Sequence, residues 1–197
     1  MQGKLGSYYP SYNVLHRQEH WDEHTKEIVN KRLGPFGTLK SFGQEELETV
    51  RSISQVLVAD KRDDILDYLV CHLDQNLQNR FGEDQRPPQA PPKQELVLQG
   101  LGYLIKYCQD THQQSFSQLE EREQLAILKD LEKGVINWSN FPVRHFFQYL
   151  KRELVSAYYS HPTIWSEIGH GGPAYPRGYV RTELGLTDPW EARKDGK

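Results

Sequence analysis

The stretch HRQEHWDEH places His16, His20 and His24 at intervals of four, with Glu19 and Glu23 between them. It fits H-x-x-E-H twice, the inverted zinc-peptidase pattern in which paired histidines hold the metal and a carboxylate activates water. On an α-helix, positions i, i+4 and i+8 fall within about 80° of one another, so one metal could be shared. The apolar stripe of the same stretch, Trp21, Thr25, Ile28 and Val29, centres on the opposite side. The histidines are therefore expected to face water, and downstream residues suggest neither a further ligand nor a substrate cleft. A solvated polar face is the expectation, with a zinc enzyme as the alternative.

Other chemistry has weaker support. Cys71 and Cys108 stand far apart, each inside an apolar helical pattern, and neither CxxC nor CxxCH occurs. Buried free thiols are expected, a single bridge being the alternative. Cys71 neighbours His72, but adjacent helical residues point in different directions and cannot form a nucleophile–base pair. There is no GxSxG elbow and no phosphate-binding P-loop. The acidic pairs Asp63–Asp64 and Glu120–Glu121 fall at helix starts, where negative charge meets the positive end of the helix dipole.

EIGHGGPAYPRGY, residues 167–179, raises a different possibility. Gly169, Gly171 and Ala174 formally satisfy the dinucleotide pattern G-x-G-x-x-G/A. That site needs a strand before it and a helix opening after it, to hold the pyrophosphate on a helix N-terminus. Here a helical pattern precedes, and Pro173 and Pro176 forbid the helix that should follow. A dinucleotide site is rejected, and beyond the histidine alternative the residues suggest no catalytic set.

The same residues favour a stiff, non-repetitive ribbon. Gly172 and Tyr175 each precede proline and are expected to be extended. Tyr175, Arg177, Tyr179 and Arg181 would be displayed along it, and Tyr and Arg are enriched at interface hot spots. Packing against its own helices and docking on a partner both remain open.

The elements that must position these residues read almost entirely as helix. In GQEELETVRSISQVLVAD, Leu47, Val50, Ile53 and Leu57 recur at helical spacing, and DDILDYLVCHLDQNLQNRFG repeats the pattern through Leu66, Leu69, Val70, Leu73 and Leu77. Gly82 suits a helix stop, and EDQRPPQAPPK, with four prolines, reads as an extended connector. Helix resumes where Val97, Leu101, Leu104, Ile105 and Cys108 share a face, with Gly100 and Gly102 weakening it or admitting a close neighbour. Ser117 and Glu120 form a capping-box pattern ahead of a helix that closes at Gly134. Pro142 and Pro162 each open a further helix.

The expected fold is all-α: a single helical domain of about five to seven helices. The expected organisation is an N-terminal arm with one helix over 1–40, a helical domain over 41–168, and an extended Gly/Pro-rich segment over 169–197. With 37% hydrophobic residues, 26% charged residues and a net charge of -3, the composition is that of an ordinary globular chain. Cations and anions are interspersed, so no nucleic-acid partner is expected. No apolar run approaches the roughly 20 residues of a membrane span, and the first residues lack both an apolar core and a twin-arginine pair.

One stretch carries a family resemblance. YYSHPTIWSEIGHGGPAYPRGYVR, residues 158–181, closely resembles the C-terminal signature of the gluconate 2-dehydrogenase subunit 3 family. Tyr158, Tyr159, Ser160 and Pro162 match the turn after an aromatic helix; Trp165 and Ile168 match the short helix that follows. Gly169 and the run from Gly171 to Tyr179 match the Gly-x-Gly-Gly-Pro-Ala-Tyr-Pro-Arg-Gly-Tyr ending. Residues 43–157 agree in order and helical character, while 1–40 and the tail after 182 lie outside the resemblance.

The resemblance implies a small, non-catalytic, cofactor-free subunit beside a large FAD-dependent oxidoreductase of the glucose-methanol-choline type. That partner oxidises gluconate or other sugars, and some complexes add a multihaem cytochrome c subunit. The small subunit is implied in maturation, stability and often twin-arginine export of its partner. The absence of such a leader in the first residues leaves two routes: export with the partner, or work in the cytoplasm, which the unpaired cysteines favour. The residues implied in partner binding are Trp165, Gly171, Gly172, Pro173, Tyr175, Pro176, Arg177, Tyr179 and Arg181.

Overall fold

Period-3.6 apolar patterns and well-placed caps make the regular structure helical throughout the residues described by this computed structural model, 7–79, 91–138, 140–181 and 183–193. Among them are seven α-helices and no strand. These are α1 (Glu23–Lys31), α2 (Gln44–Val58), α3 (Asp63–Gln78), α4 (Lys93–His112), α5 (Glu121–Lys133), α6 (Val143–Ser160) and α7 (Pro162–Ile168). Two 3₁₀ turns, Val14–His20 and Phe116–Gln118, precede α1 and α5. No helix among the described residues is long and apolar enough to cross a membrane.

The chain divides into two compact units. Phe36–Ala157 forms a helical unit in which α2 packs against α3, α4 and α5. All five apolar residues anticipated in α3 are buried there, as are Val97, Leu101, Leu104 and Cys108 of α4. Each such leucine contributes about 1.5–3 kcal/mol by leaving water. In α2, Val50 and Ile53 are fully buried while Leu47 and Leu57 stay half-buried at the rim. Asp74, on the inner side of α3, is buried and holds the incoming chain, its Oδ1 accepting from the Ser41 (2.7 Å) and Lys40 (3.1 Å) backbone N–H groups. Both cysteines are free and buried.

Two local expectations change. The Ser117–Glu120 box does not open α5. Instead Ser115 and Gln118 cap the short 3₁₀ turn, and Glu120 and Glu123 form the box at the helix start. The reason is Phe116, fully buried, whose carbonyl accepts from buried Gln124 Nε2 at 2.7 Å and pins the preceding turn. Helix α3 is capped at Asn79, and the suggested stop at Gly82 and most of the proline-rich connector lie outside the described residues.

The second unit joins the two chain ends, 1–35 and 158–197. Val14, Trp21, Val29 and Trp165 form its buried cluster, with Tyr12 and Leu15 packed against it. Its hydrogen bonds tie first residues to last: Val14 N–H donates to Ser166 Oγ at 3.0 Å, and Arg32 Nη1 donates to the Ser160 carbonyl at 2.7 Å. Arg32 also lies 5.3 Å over the Trp165 ring. This unit carries the residues with candidate functions.

Candidate functional site

The histidine stretch folds in a way that separates its members. His16 and His20 belong to the 3₁₀ turn, Trp21 is extended (φ -107°, ψ 146°), and a new helix begins at Glu23. Asp22 forces the break by capping α1, its Oδ1 accepting the Thr25 N–H at 2.8 Å. Trp21, 3% exposed, completes it by turning into the core. The spacing of i, i+4 and i+8 on one helix therefore does not apply to His16, His20 and His24. His20 lies beside Glu19 (3.5 Å) and 5.8 Å from the Trp190 ring. Among the described residues no three His, Cys, Asp or Glu side chains come together as a metal would need. The shared helical face on which the zinc alternative rested is not formed.

After α7 the described residues from Gly169 onward take no regular structure. Gly171 and Gly172 are there for space and conformation. A Cβ on Gly171 would stand 2.5 Å from Trp190 Cδ1, and one on Gly172 would stand 2.6 Å from Trp21 Cζ2. Gly172 has φ +79°, not the extended conformation expected before proline, because the chain must turn sharply against the indole. The following residues also turn: the Gly178 N–H donates to the Ala174 carbonyl. The ribbon is folded back rather than straight.

Its side chains point two ways. Tyr175 and Tyr179 stand 68% and 65% exposed, with Pro176 and Arg181 also exposed. Trp165, Gly171 and Gly172 are buried, and Pro173 half-buried. Arg177, anticipated on the outer face, turns inward instead. Its guanidinium lies 4.3 Å over the Trp190 ring, and Nη2 donates to the Gly171 carbonyl. Burial pulls the guanidinium below its usual range, countered by the charges of Asp188 and Glu191. Arg181 lies 5.4 Å over Tyr179 and 3.7 Å from Glu191.

The inward partners, Tyr12, Asp188, Trp190 and Glu191, were not singled out from sequence. Tyr12 Oη donates to the Trp190 carbonyl at 2.6 Å, and burial raises the phenol above its usual range. Asp188, fully buried, accepts the Val180 and Arg181 N–H groups at 2.8 Å each through Oδ1. The Asp188 N–H in turn donates to Glu191 Oε2 at 2.8 Å. DPWE does carry a usable signal: Asp and Glu at box spacing with proline next, a helix-start pattern that halts after one turn.

Chemically, this arrangement offers aromatic and cationic contact surface. The thiols lie elsewhere and are poor nucleophiles: burial pushes Cys108 up to about 11 and raises Cys71 as well. An open groove beside α1 is lined by the mixed polar side chains Gln18, Glu23, Lys26, Glu27, Asn30 and Lys31, with no convergent donor set.

A family model described as gluconate 2-dehydrogenase subunit 3 matches residues 39–172, so the run 173–181 lies beyond the matched span. No curated protein and no solved structure matches the chain.

Proposed function

This chain belongs to the gluconate 2-dehydrogenase subunit 3 family, and from that premise we propose that it is the non-catalytic small subunit of a sugar-oxidising complex. It binds a large FAD-dependent subunit of the glucose-methanol-choline type and stabilises or matures it. The flavin belongs to the partner, and this chain carries no cofactor of its own. A cytochrome c subunit accompanies some such complexes. The assembly works in the cytoplasm, export alongside the partner being the alternative.

The observation that supports docking through the C-terminal segment is the exposure of Tyr175 and Tyr179 on a backbone pinned from within by Arg177, Trp190 and Asp188. Two large aromatic rings held toward water lose little freedom when a partner covers them. Trp165, Gly171, Gly172 and Arg177 then act from beneath, by shaping the loop.

Co-expression with the large subunit tests this reading. The isolated chain is expected to show no flavin absorbance and no sugar oxidation, and co-expression to raise the soluble, flavin-loaded fraction of the partner. The double variant Tyr175→Ala/Tyr179→Ala should keep its helical circular dichroism yet bind the partner roughly 30-fold more weakly, the effect of losing one strong hot spot. Undiminished binding by that variant removes the docking claim.

A further inference from the structure

The tail beyond Leu186 contributes Trp190, 7% exposed, and Ala192, 5% exposed, to the terminal unit. Three independent contacts fold this tail back onto the Gly-rich loop. Backbone pairs with backbone where the Ala192 N–H donates to the Gly169 carbonyl at 3.1 Å. The Trp190 ring fills the space a side chain at Gly171 would take, and carries the Arg177 guanidinium at 4.3 Å. Asp188 Oδ1 gathers the N–H groups of Val180 and Arg181, the residues that follow exposed Tyr179. The tail is itself fastened from outside, by Tyr12 Oη on the Trp190 carbonyl at 2.6 Å.

We propose that residues 188–192 are a strap that fixes the shape of the 171–181 loop and so determines whether the chain can grip its flavoprotein partner. The inference rests on the docking reading above. Trp190, Arg177 and Asp188 are positioning residues: they act through the loop and touch no partner. Glu191 closes the strap on itself, accepting the Asp188 N–H while its own N–H donates to the Asp188 carbonyl at 3.0 Å. The strap holds the far end of the loop through a single carboxylate oxygen, since Asp188 Oδ2 has no hydrogen-bond partner among the described residues. Asparagine can supply that same acceptor, and alanine cannot.

The experiment uses full-length Trp190→Ala, Asp188→Ala and Asp188→Asn. Amide hydrogen exchange is followed in the isolated chain, and complex formation with co-expressed large subunit is measured alongside. Trp190→Ala and Asp188→Ala are expected to speed exchange at Val180 and Arg181 by about tenfold or more, the sign of local opening. The same two variants should weaken the complex by about tenfold, because an unshaped loop must be ordered on binding. Asp188→Asn keeps the acceptor but loses the charge that faces Arg177, so it should fall between wild type and Asp188→Ala in both measurements, a partial rescue that general destabilisation would not give. If Trp190→Ala does not fold, the two Asp188 variants decide alone. Unchanged exchange in Asp188→Ala, or Asp188→Asn exchanging as fast as Asp188→Ala, overturns the strap. Faster exchange with undiminished complex formation overturns its control of docking, and leaves the docking face itself to the Tyr175/Tyr179 test.

Discussion

Cys108 has no solvent exposure, and burial raises its thiol from an ordinary 9.0 to about 11. Between those values the unfolded chain has released a proton that the folded chain still holds. The unfolded state therefore gains relative to the native one as pH rises, and stability falls across pH 9 to 11. Below about pH 9 both states are protonated and this thiol contributes no slope. Two pH units correspond to a loss on the order of 2 kcal/mol. Urea melts of wild type and Cys108→Ala at several pH values check this: the variant, although destabilised throughout, should show the shallower decline. A buried thiol was legible in the sequence because Cys108 repeats the spacing of Val97, Leu101 and Leu104. Arg177 was not, because its partner Trp190 lies in a tail without periodicity. Composition marks Arg177 as a surface cation, and only a stacked indole with a free Gly171 carbonyl makes the inward position favourable.

The helices show the same division between local and non-local information. Helix α3 was readable because burial of one apolar stripe is a local property. The histidine stretch does face water, with His16, His20 and His24 all exposed. It is not one helix, because its period of four competes with a stronger local signal: Asp22 three residues ahead of Thr25 starts a fresh helix. The two glycines of α4 look alike in the sequence yet differ in role. A Cβ on Gly100 would stand 2.2 Å from the Phe146 ring, whereas one on Gly102 meets nothing within 4 Å. Gly100→Ala must displace a fully buried phenylalanine, an overpacking cost of about 1–3 kcal/mol against which the better helix propensity of alanine returns up to ~1. Gly102→Ala gains the propensity without the clash and should stabilise by about 0.5–1 kcal/mol. Chemical denaturation of the two single variants should therefore move the midpoint in opposite directions. A stabilised Gly100→Ala would mean that α6 yields at Phe146.

The family match and the division of the chain into units follow different boundaries. The matched span, 39–172, covers nearly all of the helical unit but only the first part of the C-terminal half of the other one. The remainder of that second unit comes from residues outside the match: the N-terminal arm supplies Val14, Trp21 and Val29 to the cluster around Trp165, and the tail supplies Trp190. Arm and tail read as appendages because neither holds a long apolar period. Trp21 and Val29 stand out only as part of a short stripe, and their packing against Trp165 at the other end of the chain is non-local and leaves no pattern in the sequence. If that cluster organises the docking segment, removing the arm should damage the loop although the two are far apart in sequence. A chain beginning at Phe36 loses three of the four members of the cluster, exposes Trp165, and removes the Tyr12 hydrogen bond to the Trp190 carbonyl. Its amides from 171 to 181 should exchange close to the rate of an unfolded peptide, while those of α2 to α5 keep most of their protection, since local stability follows local burial. Fluorescence should report the same event through a red shift of Trp165 emission. Protection surviving in the loop of this shortened chain would mean that the tail strap alone is enough to shape it, and that the arm serves another purpose.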